Sequence, residues 1–165
     1  MGKDAELYLR NVIFGITDSL VSTVGLLSGI DVSGTSRQII ILTGIVYAFV
    51  EAFSMAVGSF LSEESAEEYK SQQEVSDGKP FVAGFVMFLS FICASFIPII
   101  PYFLFGLAGA VWFSIGFSIL ALFAVGIVSA KVTNVRVLKH SLKMIFLGGA
   151  AILVGVIVGK LVKAG

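Results

Sequence analysis

The run FVAGFVMFLSFICASFIPIIPYFLFGLAGAVWFSIGFSILALFAVGIVSA, residues 81–130, holds no charged side chain. As a single α-helix these fifty or so residues would extend roughly 75 Å, far beyond a ~30 Å hydrocarbon core. A break is therefore required. Pro98, Pro101, Gly106 and Gly109 offer one, because proline interrupts the hydrogen-bond ladder and glycine permits a tight turn. The run reads as two membrane spans, 81–105 and 107–130, joined by a short hairpin near residues 105–109.

Three further segments approach the ~20 apolar residues that a spanning helix needs. They lie at 9–30, interrupted by Asp18 and several glycines, at 39–61, which contains Glu51, and at 142–162. Composition agrees. The chain is 57% hydrophobic and only 13% charged, with a mean hydropathy of +1.00, whereas a soluble domain carries about 25% charged residues. The expected fold class is an all-α membrane protein with five transmembrane helices in one domain spanning 1–165. Zero net charge gives no bulk attraction to nucleic acid. The single Cys93 excludes an internal disulfide framework. No phosphate-binding loop or nucleophile triad is present, so the chain reads as a secondary transporter and not an enzyme or an ATP-driven pump.

Lys and Arg bias sets orientation. Five spans place Lys3, Arg10, Lys70, Lys79, Lys131, Arg136, Lys139 and Lys143 on one side, and Arg37, Lys160 and Lys163 on the other. This predicts a multi-pass protein with a cytoplasmic N-terminus, an external C-terminus and a short acidic cytoplasmic connection at 62–80. Its membrane would be the plasma membrane of a prokaryote or a vacuole-like membrane of a eukaryote. Asp18 and Glu51 then both lie roughly 13–15 Å deep, near the midplane, on adjacent helices.

A carboxylate at the midplane costs about 2.5–3.5 kcal/mol on insertion scales. No Lys or Arg lies at matching depth. The available partners are protons, hydroxyls, backbone groups or a bound cation, and the bland alternative is a protonated packing acid. Met55 follows Glu51 by one turn on the same face. A thioether beside carboxylates suits a borderline first-row metal better than Mg²⁺ or Ca²⁺, although a methionine on an apolar helix also serves as packing. Asp18, Glu51 and Met55 are the candidate metal-binding residues. Beyond them, Glu63, Glu64, Glu67 and Glu68 form one stripe if the second helix continues. That stripe is either a metal-capture site at the cytoplasmic mouth or a solvated helical extension. Small residues from Gly15 to Gly29 either add oxygen ligands beside Asp18 or permit close packing. His140, between basic residues, is expected to face solvent or headgroups.

Three motifs carry a family resemblance. Residues 14–23, Phe14-Gly15-Ile16-Thr17-Asp18-Ser19-Leu20-Val21-Ser22-Thr23, resemble the first-helix signature of the vacuolar iron transporter family. Ser54-Met55-Ala56-Val57-Gly58 resembles its second-helix motif, and Pro98-Ile99-Ile100-Pro101-Tyr102 its proline-rich third helix. The resemblance implies a five-helix protomer acting as a homodimer, with the path at the dimer interface. It implies export of Fe²⁺ or Mn²⁺ from the cytosol by proton antiport, with no permanently bound cofactor, and Asp18 and Met55 at the pore-lining positions. Ser19, Asn11 and Ser59 depart from the family pattern: Ser19 stands for a glycine, and Asn11 and Ser59 for residues that are acidic in many members. Glu51 lies outside the motif, and the 62–80 connection is far shorter than the metal-binding insertion of plant members. Two rival expectations remain: another small-ion transporter or channel using the carboxylates as a proton relay, and a non-transporting membrane assembly protein.

Overall fold

Five α-helices make up nearly all of the computed structural model, which describes residues 3–164. They are α1 Lys3–Val32, α2 Arg37–Ser71, α3 Gly78–Leu104, α4 Leu107–Val132 and α5 Val137–Ala164. Each is long and apolar enough to cross a membrane. The helices overrun the expected spans because hydropathy marks only the part that lipid requires. Polar helix-formers carry the backbone further. At the end of α2, residues 62–71 remain helical, and Gln72 closes the helix in the left-handed conformation (φ 55°) with its N–H on the Glu68 carbonyl at 2.8 Å. Of the expected 62–80 connection, only residues 72–77 therefore lie outside helix.

The apolar run at 81–130 does form a hairpin, but the prolines are not the break. α3 continues through Pro98 and Pro101 to Leu104, and the turn is confined to Phe105 and Gly106. In an apolar setting an unwound segment would strand several backbone groups, whereas each proline removes one donor. Ser114 of α4 donates to the Pro98 carbonyl at 2.7 Å, which ties the two arms together. At the end of α3, the Arg37 guanidinium donates to the carbonyls of Tyr102 and Phe103. A cation on the last carbonyls of a helix also complements its dipole.

α3 lies against α2, α1 and α4, and α1 lies against α3, α5 and α4. The main core joins Leu27 of α1, Ile40, Ala48 and Ala52 of α2, and Phe91, Ile99 and Tyr102 of α3. α1 and α5 approach backbone to backbone. A Cβ at Gly155 would collide with the Gly25 carbonyl, and one at Gly159 with the Gly29 carbonyl. These two four-residue glycine spacings facing each other let the axes close, as small residues do between membrane helices. Elsewhere α2 and α4 turn large apolar side chains outward, among them Phe49, Phe53, Trp112 and Leu120. His140 is half-exposed, with its Nε2 shut off from solvent and without a hydrogen-bond partner among the described residues.

Candidate metal site

α1 and α2 run antiparallel, and their polar residues meet in register. Near the N-terminal end of α1, Arg10 approaches Glu63 at 3.8 Å. One residue on, buried Asn11 donates through Nδ2 to the Ser59 hydroxyl at 2.9 Å and to the Ala83 carbonyl of α3 at 3.0 Å. Two turns further along α1, Asp18 comes within electrostatic reach of Glu51, and Tyr47 lies within reach of both. Ser22 sits beside the Tyr47 phenol, and its hydroxyl is engaged with the Asp18 carbonyl at 2.7 Å.

The helical period explains this convergence. Asp18 and Ser22 are one turn apart on α1, and Tyr47, Glu51 and Met55 are successive turns on α2. Ala48 and Ala52 pack inward and are buried, whereas Asp18, Glu51 and Met55 are only half-buried. Met55 leans on the core that contains Ala52 and Phe91. Asp18 and Glu51 thus lie on facing turns of α1 and α2, within electrostatic range of each other. Among the described residues, neither Asp18 nor Glu51 forms an ion pair, and no three His, Cys, Asp or Glu side chains converge on one metal-sized point. Within one chain the donor set is two carboxylates, a thioether, a phenol and a serine hydroxyl.

The glutamate stripe is divided. Glu67 binds Lys79 of α3 at 2.6 Å, and Lys79 also binds Asp4 of α1 at 2.7 Å. Glu63 faces Arg10. Glu64 and Glu68 have no ion pair among the described residues. Two of the four glutamates therefore help to tie α2 to its neighbours. Sequence reasoning missed Tyr47 as a companion of the site. Its position four residues before Glu51 was the available signal, masked by the frequency of tyrosine in apolar helices. It also missed the Lys79 contact, because a link between Asp4, Glu67 and Lys79 depends on three helix ends meeting.

Five helices, each long and apolar enough to cross a membrane, define a polytopic integral membrane protein. The chain belongs to the VIT family, whose profile matches residues 9–77 and 67–160. It is 25% identical over 160 residues to an uncharacterized protein of Methanocaldococcus jannaschii, covering 86% of this chain and 83% of that one. It is 36% identical over 66 residues to vacuolar iron transporter homolog 3 of Arabidopsis thaliana, covering 40% of this chain and 33% of that protein. Vacuolar iron transporter 1 of the same plant is 27% identical over 75 residues, covering 46% and 30% respectively. The match spans about a third of each plant protein's length.

Proposed function

We propose that the chain is a divalent-metal transporter that exports Fe²⁺ or Mn²⁺ from the cytosol in exchange for protons, with Asp18, Glu51 and Met55 binding the ion in transit. The observation that carries this reading is that Asp18 of α1 and Glu51 of α2 lie within electrostatic range of each other without a Lys or Arg partner among the described residues. Two like charges in a low-dielectric setting repel, and a divalent cation or a proton relieves that repulsion. Metal binding requires deprotonated carboxylates, so metal entry displaces protons from the same oxygens and couples the two fluxes. Membership of the VIT family and the iron transporter relatives support the metal as cargo.

The half-exposure of Asp18, Glu51 and Met55 in one chain supports a homodimer. A carboxylate facing lipid is costly, and a second copy supplying the same residues would cover both and double the donor set. In this reading the N-terminus is cytoplasmic. Glu64 and Glu68 collect the ion at the mouth, and Glu63 and Glu67 join them when Arg10 and Lys79 yield.

The test is Mn²⁺ and Fe²⁺ uptake into proteoliposomes under an imposed pH gradient. The parent takes up metal and moves protons the other way, and Asp18→Asn does neither. Equal transport by parent and Asp18→Asn rules the mechanism out. Metal flux that is indifferent to the pH gradient removes the antiport while leaving the metal site.

A further inference from the structure

All eleven acidic residues lie before Gly78, and from there to Gly165 the charged side chains are Lys and Arg alone. Lys131, Arg136, Lys139 and Lys143 gather where α4 gives way to α5. All four are exposed, and none makes an ion pair among the described residues. α1 and α5 run parallel, with Gly25 against Gly155 and Gly29 against Gly159, so α1 begins at this same end. Its first acids leave the cluster uncompensated: Asp4 is held by Lys79, and Glu6 forms no ion pair among the described residues. The helical period sorts the start of α5 into faces. The Arg136 carbonyl accepts the His140 N–H at 3.1 Å, which puts Arg136 in helical register. Arg136, Lys139 and Lys143 then fall within an arc of about 60°. Leu138, Leu142 and Phe146 continue round the same side and are exposed. Ser141 and Gly148, on the opposite side, are buried.

We infer that the α4–α5 corner is a docking surface for anionic phospholipid, with Arg136, Lys139 and Lys143 on the headgroup phosphate and Leu142 and Phe146 along an acyl chain. Uncompensated cations beside a membrane attract anionic headgroups. Long Lys and Arg stems lie along apolar surface while their charged ends reach the headgroup layer. The apolar side chains decide between occupants. An acidic protein segment, such as the glutamate-rich end of α2 in a second copy, would neutralise the cations. It would leave Leu142 and Phe146, which lie inside a span, without a partner of their own. A phospholipid meets both needs with one molecule, because its phosphate and its chain are stacked in the same order as the cations and the apolar residues along α5. None of these residues belongs to the proposed metal site, and the inference does not depend on transport.

The test is tryptophan quenching in the full chain reconstituted into bilayers. Trp112, near the opposite end of α4, is replaced by phenylalanine. Phe146→Trp then places the one indole about 4.5 Å along the helix from Lys143. Quenching by acyl-brominated phosphatidylglycerol is compared with quenching by acyl-brominated phosphatidylcholine. We expect phosphatidylglycerol to be preferred about fivefold, the scale of one cation near an anionic headgroup. The preference falls toward one when Arg136→Gln, Lys139→Gln and Lys143→Gln are combined, and in 1 M salt. It is unchanged by Lys160→Gln with Lys163→Gln at the other end of α5. These substitutions replace exposed charges, so the variants keep the parent's melting temperature. Equal quenching by the two lipids overturns the inference, as does a preference that survives the triple substitution. A preference abolished by millimolar inorganic phosphate at constant ionic strength assigns the corner to free phosphate and overturns the lipid. If the triple variant changes the oligomeric state by light scattering and keeps the lipid preference, a second copy is the occupant and the inference falls.

Discussion

Asn11 of α1 holds the Ser59 hydroxyl of α2 at 2.9 Å and, with its second amide hydrogen, the Ala83 carbonyl of α3 at 3.0 Å. One neutral side chain therefore joins three helices two turns from Asp18. These are the two positions, Asn11 and Ser59, where family resemblance leads one to expect acids. Here they form a latch in place of a charge pair.

Replacing Asn11 by leucine removes both bonds, and the Ala83 carbonyl, inside α3, keeps only its intrahelical partner. We expect a loss of about 1–2 kcal/mol, since buried hydrogen bonds between membrane helices average somewhat less than those in water. Thermal unfolding in detergent checks this. Asn11→Asp is the informative companion. A carboxylate cannot donate to the Ala83 carbonyl, so stability falls, while an added negative charge near Asp18 raises Mn²⁺ affinity.

The Asp18–Glu51 pair is expected to trade stability against function. At pH 8 without metal, Glu51→Gln removes a like-charge neighbour and raises stability by roughly 1 kcal/mol. The same variant lowers Mn²⁺ flux about tenfold or more, the scale of one lost charged ligand. Added Mn²⁺ raises the melting temperature of the parent and not of Asp18→Asn, because only a bound ligand shifts the equilibrium. A fall in stability for Glu51→Gln counts against the repulsion.

Gly155 tests the contact between α1 and α5. A leucine there has no room before the Gly25 carbonyl, and forcing the helices apart costs about 3 kcal/mol, the upper end for overpacking. Gly116→Ala is the control. Nothing lies within 4 Å of a Cβ at that position, so its melting temperature matches or slightly exceeds that of the parent.

Lys79 tests the ion-pair cluster at the α2–α3 connection. Lys79→Met releases Asp4 and Glu67 together. Because the cluster is near solvent, we expect a small stability change that disappears at high salt. The clearer readout is proteolysis. The segment at 72–77 is cut faster in the variant at low salt, and parent and variant converge at 1 M salt.

The number of spans was legible because lipid imposes a length on every apolar run, and residues 81–130 are too long for one helix and about right for two. Asp18 and Glu51 were legible as a candidate pair because charge in such segments is rare and topology placed both at one depth. Helix ends were not legible from hydropathy, which is silent once the chain leaves the apolar region. The fate of the glutamate stripe depended on neighbours that are distant in sequence: Glu63 faces Arg10, and Glu67 shares Lys79 with Asp4.

The amino-acid sequence alone determined that five helices are long and apolar enough to cross a membrane and that the first two each carry an acid, because burial of backbone and charge in lipid admits few solutions. Only the tertiary structure decided what those acids meet. It set Tyr47 and Ser22 beside them, closed α1 onto α5 through facing glycines, and carried the α3 helix on through its prolines. Those outcomes depend on helix rotation and axial offset, which hydropathy does not encode and which side-chain packing among all five helices settles.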